Sequence, residues 1–293
     1  MMKSLVNVSG SNADYLSKVE IDKVGGGYFS SYEVSDDFIV KSLRGILGCM
    51  PKNINFYDLG GGDGFLGERI REFFEENGFN ITTTIVDDNV DYLKKAKERG
   101  LNVIKSDISD CQEINRPDLV VMRSVNHYNQ FHTQRKVLHN CFRSMADNGF
   151  LVSQFISGSR SECIAMNKLM NHPLLGRAGN GHSYYVTTEE EYIELLLDSG
   201  FSNIEHLGYA KTTYWGNEML WQRFNKARTE EFLEKNNLLE KRSIEERHRK
   251  YIQLSNEIIE NTLSHSNNFR FKKNLGGYEI ELKFPIIRCK KNK

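Results

Sequence analysis

The sequence predicts an α/β protein built on an open, largely parallel sheet with helices on both faces. Short apolar, β-branched runs alternate with helix-period segments through the middle of the chain. The first of these runs ends in a glycine-rich strand-to-helix turn, Asp58-Leu59-Gly60-Gly61-Gly62-Asp63-Gly64. With 293 residues, 39% of them hydrophobic, the chain can fill one large core with additions.

The elements follow in order. Residues 14–23 have helical spacing and stop at Gly25-Gly26-Gly27, so residues 1–34 read as a helical cap. Ser35 is placed to N-cap a helix with Asp36 and Asp37 in its first turn and Gly48 at its end. Residues 55–59 form the first strand and 68–77 the first crossover helix. Residues 81–86 and 91–99 repeat the pattern, and 102–105 and 117–123 are further strands. Residues 133–145 are a helix with Val137, Cys141, Phe142 and Met145 inward, and 149–156 a fifth strand. Thr188-Glu189-Glu190-Glu191 has the form of a capping box opening a helix that ends at Gly200. A strand over 203–209 follows. Residues 216–266 carry a second capping box, Ser243-Ile244-Glu245-Glu246, and read as a helical insertion serving as lid or homodimer contact. Final strands are expected at 269–272 and 278–289. The expected organisation is a cap (1–34), a core (35–215 and 267–293) and the insertion (216–266).

Glycines at Gly60, Gly62 and Gly64 strip side chains from the turn, letting a flat ligand lie on bare backbone and reach N–H groups at the helix start. Gly62 to Gly67 also fits the dinucleotide pattern G-x-G-x-x-G. Asp58 opposes that reading, because a carboxylate two residues before the first glycine repels a pyrophosphate. It suits a cationic ligand. The segment Asp58 to Gly64 resembles the first motif, acid-x-Gly-x-Gly-x-Gly, of the class I S-adenosylmethionine-dependent methyltransferases, and three further segments match in order.

The resemblance implies a seven-stranded, mostly parallel, doubly wound sheet whose last strand runs antiparallel between the fifth and sixth. It implies S-adenosyl-L-methionine as cofactor, S-adenosyl-L-homocysteine as product, and roles for particular residues. Asp58, Gly60, Gly62 and Gly64 would form the cofactor loop. Asp87, beside Asp88, would accept from the ribose hydroxyls. Asp107 would accept from the adenine amine, with Ile108 packed on the ring. Arg123 ends the strand that opens onto the transfer site, and Ser124 to Tyr128 follow it.

Methyl transfer is an in-line displacement at carbon, so holding the two partners at attack distance is the main task. An oxygen acceptor also needs a base, and His127 has a suitable intrinsic pKa; His182 is a second candidate. Tyr28, Tyr32 and Tyr128 are candidates for lining the acceptor. Aromatics at Tyr184, Tyr185, Tyr214, Trp215 and Trp221 can wall a pocket or fill the core.

Composition narrows the partners. Thirty-nine basic and 39 acidic residues give zero formal charge, which draws in neither nucleic acid nor an anionic membrane. Five scattered cysteines without CxxC spacing read as reduced thiols of a cytoplasmic protein, not a disulfide framework or a metal site. The first residues lack a signal-peptide pattern and no run is long and apolar enough to span a bilayer. The expectation is O- or N-methylation of a small molecule, including natural-product metabolism. The alternatives are a protein or RNA methyltransferase, an NAD-dependent oxidoreductase, and a non-catalytic relative.

Overall fold

The computed structural model describes residues 31–110, 114–172, 175, 184–210, 214–221, 244–264, 266 and 269–292. The expected cap helix, Tyr28, His182 and the Ser243 cap lie outside the described residues.

Ser31 accepts from Val34 N and so caps α1 (Tyr32–Ser42); the cap expected at Ser35 is four residues too late. Ser35 is fully buried inside this helix, because one more turn lets Val34 and Phe38 reach the core together. A 3-10 segment (Arg44–Cys49) follows, so the α-helix stops before Gly48. Then come β1 (Asn53–Leu59), α2 (Phe65–Glu76), β2 (Asn80–Asp87), α3 (Val90–Glu98), β3 (Asn102–Lys105) and β4 (Leu119–Arg123). After the 3-10 turn Asn126–Tyr128 come α4 (Phe131–Ser144), β5 (Phe150–Gln154), α5 (Arg160–Asn171), α6 (Glu189–Asp198) and β6 (Ser202–Tyr209). The Thr188–Glu191 capping box forms as expected. Ser159 and Glu162 make the same motif at α5, a helix the sequence reading passed over.

The last elements are β7 (Tyr214–Gly216), α7 (Asn217–Leu220), α8 (Ile244–Leu263), β8 (Lys272–Asn274), β9 (Gly277–Glu281) and β10 (Pro285–Lys290). The main sheet has seven strands in the order β3-β2-β1-β4-β5-β10-β6, with β10 antiparallel to both neighbours and the described pairs β1–β2, β1–β4, β2–β3 and β4–β5 parallel. The order reverses between β1 and β4, the point where open sheets of this kind bind ligands beyond their carboxyl ends.

The strand expected over 278–289 is two strands in two sheets. β9 joins β7 and β8 in a separate three-stranded sheet, and only β10 enters the main one. The expected core segment 267–293 is therefore divided, and the segment before α8 supplies a strand as well as helix. A turn after Glu281 lets Phe284 and Ile286 pack in the core that β9 also covers.

Core side chains lie on both faces of the main sheet. On one, Phe38, Phe56, Val121, Val152 and Ile286 merge with Trp215, Tyr251, Ile259 and Ile280 of the second sheet and α8. On the other, Tyr57, Val120, Met122 and Leu151 meet Val137, Leu138 and Cys141 of α4 and Tyr192, Leu195 and Leu196 of α6. Trp215 and Trp221 are buried in this packing, not displayed on a pocket wall. Among the described residues no helix is long and apolar enough to cross a membrane.

Candidate active site

The β1–α2 turn is held from within. Gly60, Gly62 and Gly64 all have positive φ (67, 56 and 76), which side chains rarely tolerate. Gly60 N donates to Val86 O at 2.7 Å, Gly62 N to Asp87 Oδ2 at 3.0 Å and Gly64 N to Gly61 O at 3.1 Å. Phe65 N donates to Asp63 Oδ1 at 3.2 Å. The N–H groups of Gly60, Gly62, Gly64 and Phe65 are therefore already engaged within the fold. A pyrophosphate would find these four donors spent and flanked by carboxylates, which disfavours a dinucleotide site. What the turn offers is bare backbone. A Cβ at Gly62 would meet only Tyr92, at 3.9 Å, so this position opens onto free space.

Arg99 locks the turn from outside. Its Nε donates to Asp63 O at 3.0 Å, its Nη1 to Glu68 Oε2 at 2.6 Å, and its guanidinium lies 5.5 Å from the Phe65 ring. Tyr32 sits beside the same ring at 5.4 Å, is more than half exposed, and carries Arg69 on its own face.

Asp58 lies under the turn. It is 2% exposed, and its Oδ2 is buried with no hydrogen-bond partner. Burial pushes its carboxyl up to about 7, against the opposing pull of Arg123. Arg123 closes β4, 3.4 Å from Ser35 Oγ and 5.8 Å from the Phe38 ring; burial lowers its value to about 10, with Asp58 acting in the other direction. These residues fit a cationic cofactor: a buried carboxylate oxygen without a partner beneath a cradle that a side chain would fill.

At the tip of β2, Asp87 is half-buried and accepts from Asn89 N at 2.9 Å as well as from Gly62 N. Burial raises its pKa, and those two N–H groups oppose the rise. Asp88 is exposed. Beyond β3, exposed Asp107 accepts from Ser109 N at 2.7 Å, capping its own turn. Ile108 is almost wholly packed in the cluster with Tyr57 and Met122.

His127 is buried in the turn after β4. Its ring lies 4.3 Å from Tyr128, which is 44% exposed, and 5.2 Å from buried Tyr184. The turn is fastened behind. Asn126 Nδ2 donates to Tyr192 Oη at 2.8 Å, Tyr192 Oη donates to Ser153 Oγ at 2.8 Å, and Tyr185 N donates to His127 O at 3.0 Å. Sequence reading missed this relay, since Asn126 and Tyr192 lie 66 residues apart. Tyr192→Phe should lower stability by about 1–3 kcal/mol in a denaturant melt, because it leaves Asn126 and Ser153 underpaired in a dry core. A change below about 0.5 kcal/mol would mean that the relay is not a support.

The carboxyl ends of β1, β2 and β4 thus gather Asp58, the glycines, Asp87, Arg123 and His127 along one edge of the sheet. Among the described residues no cluster of His, Cys, Asp or Glu could hold a metal ion.

The comparisons agree with this architecture. No curated protein matches the chain. Among solved structures, the YcgJ protein of Bacillus subtilis superposes with a TM-score of 0.58 at 11% identity, covering 89% of this chain and 99% of its own. A Bacillus halodurans protein named as a methyltransferase gives 0.57 at 14% identity, over 88% and 99%. A Galdieria sulphuraria protein named for sarcosine dimethylglycine methylation gives 0.51 at 13%, over 90% and 87%. At these identities the likeness is one of fold. The O-methyltransferase domain model matches residues 39–202, more than half of the chain, from the last turn of α1 to the first residue of β6. The chain belongs to the O-methyltransferase domain family, and is a class I methyltransferase that uses S-adenosyl-L-methionine.

Proposed function

We propose that this chain methylates a hydroxyl oxygen of a small molecule. The observation that carries the reading is Asp58, a buried carboxylate with an unpartnered oxygen under a turn of bare backbone at the β1/β4 reversal. Bound there, S-adenosyl-L-methionine supplies an electrophilic methyl group on a sulfonium. Asp58 would face the cofactor's positive charge, with the loop glycines against its body. Asp87 would take the ribose hydroxyls and Asp107 the adenine amine, with the exposed edge of Ile108 against the ring. Arg123 would balance Asp58 beneath the cofactor.

His127 is proposed as the base that takes the proton of the acceptor hydroxyl, with Tyr128 and Tyr184 as aromatic walls. The family model favours oxygen over nitrogen as the atom methylated. A small acceptor is favoured by the enclosed His127–Tyr184 contact and by the zero formal charge, which gives no field for a polyanion. The test is transfer of labelled methyl from S-adenosyl-L-methionine to a panel of small alcohols and phenols, with RNA and protein extracts in parallel. Label appearing only in a macromolecule would overturn the small-molecule reading.

Asp87→Ala should weaken S-adenosyl-L-homocysteine at least about tenfold by calorimetry, since each charge-assisted hydrogen bond is worth about 1.5–3 kcal/mol and 1.4 kcal/mol is one decade. It also removes the acceptor that orders Gly62. Asp88→Ala should change affinity less than about twofold (below roughly 0.5 kcal/mol). Equal losses would move the ribose contact off Asp87.

A further inference from the structure

Gln154 ends β5, one strand beyond the β1/β4 reversal. It is fully buried, and neither its Oε1 nor its Nε2 has a hydrogen-bond partner. The parallel register pairs it with Arg123. Register partners in a parallel pair face the same side, about 4.8 Å apart, so the amide and the guanidinium start from neighbouring positions on one face. It is the face that α1 covers, through Ser35 and Phe38.

The backbone beside the amide is strained. Ser124 has φ 57, in the left-handed region, donates its N–H to Gln154 O at 2.7 Å, and has a buried Oγ without a partner. Each buried polar group left unpaired costs about 1–3 kcal/mol, and folded proteins retain few of them. Strain and unmet polarity of this kind gather where ligands bind.

Position says which ligand. With Asp87 on the β2 side and Asp58 at the reversal, the cofactor is accounted for, and the β5 side is left to the methyl acceptor. We propose that Gln154 reads the acceptor, and that the acceptor is a small α-hydroxy acid. Both halves of the amide lack partners, so the ligand must bring a donor and an acceptor together. A carboxylate oxygen would accept from Gln154 Nε2, and the hydroxyl on the adjacent carbon would donate to Oε1 on binding, closing a ring of two hydrogen bonds. As that hydroxyl oxygen bonds to the methyl carbon and the carbon–sulfur bond of the cofactor breaks, the proton passes to His127. The neighbouring Arg123 cation favours a carboxylate over a neutral carbonyl. A site built to pair such groups rejects ligands that lack one of them. This inference rests on the reading of the β1/β4 edge as the cofactor site.

Calorimetry on protein saturated with S-adenosyl-L-homocysteine tests it, with mandelate as probe. Phenylacetate (no hydroxyl) and benzyl alcohol (no carboxylate) are the controls. Mandelate should bind at least tenfold more tightly than either. Gln154→Leu should erase that preference, leave S-adenosyl-L-homocysteine affinity within twofold, and melt at or above the wild-type temperature because an unpaired amide is gone. Gln154→Met, which keeps the volume and removes both polar groups, should weaken mandelate at least tenfold and decides the matter if the leucine variant does not fold. Equal binding of the three probes by wild type, or wild-type mandelate affinity in Gln154→Met, overturns the proposal. So does a leucine variant that folds but melts several degrees lower. Failure of wild type to bind S-adenosyl-L-homocysteine would overturn the cofactor reading and this inference together; binding without discrimination overturns this inference alone.

Discussion

Asp58→Asn is expected to make the ligand-free protein more stable at pH 8 while abolishing cofactor binding. The carboxyl stands at about 7 in the fold against an ordinary 3.8, with burial as the main cause. The folded chain therefore holds a proton that the unfolded chain releases between about pH 4 and 7. Stability from the neutral carboxyl is fully present below about pH 4 and is lost as pH rises through about 7. At about 1.36 kcal/mol per pH unit, the charging penalty approaches about 4 kcal/mol above neutrality as an upper bound. An uncharged asparagine escapes it, so the variant should melt several degrees higher at pH 8 and close to wild type at pH 4. Binding should move the opposite way. A cationic ligand needs the carboxylate, so wild-type affinity for S-adenosyl-L-methionine should rise between pH 6 and 7.5, and the variant should bind weakly with no such slope. A variant that melts lower at pH 8, or binds the cofactor normally, would show that Asp58 is a structural group.

Gly62→Arg should eliminate cofactor binding and leave the fold standing. The Cβ of that residue points into open space, with Tyr92 at 3.9 Å its nearest neighbour, so the arginine would occupy the cradle without displacing the core. The remaining cost is the left-handed backbone, about 1–2 kcal/mol. Gly64→Ala is the contrasting variant. Its Cβ would come within 2.7 Å of Leu101 and 3.0 Å of the Ala96 Cβ, at φ 76, so it should lose stability first and affinity only as a consequence. Thermal melts and calorimetry on the pair separate the effects. If Gly62→Arg retains wild-type affinity for S-adenosyl-L-homocysteine, the cradle is not where the cofactor lies.

The sequence by itself determined the main sheet and the glycine turn between β1 and α2, because both are written in local patterns. Strands β1 to β4 follow apolar runs, α6 follows its capping box, and the glycine turn needs positive φ wherever it occurs. Asp58 and Asp87 were legible for the same reason: an acid at the end of a strand has a fixed place once the strand is known. The α5 capping box was equally local and could have been read from Ser159-Arg160-Ser161-Glu162.

Only tertiary structure decided the rest. The split between β9 and β10 depends on which sheet has room for the chain after Glu281, and alternation along a strand does not record its partner. The start of α1 was set by which residues the core would accept, not by the acidic pair at Asp36 and Asp37. The Asn126–Tyr192–Ser153 relay joins three distant segments through hydroxyl and amide groups common everywhere in the sequence. Gln154 was invisible for the same reason. A glutamine at the end of an apolar strand reads as an ordinary polar terminus, and only the assembled fold shows that it is buried with both ends of its amide unpartnered. Patterns with a period of a few residues reach the sequence reader, whereas burial, pairing and unmet hydrogen bonds are properties of the assembled chain.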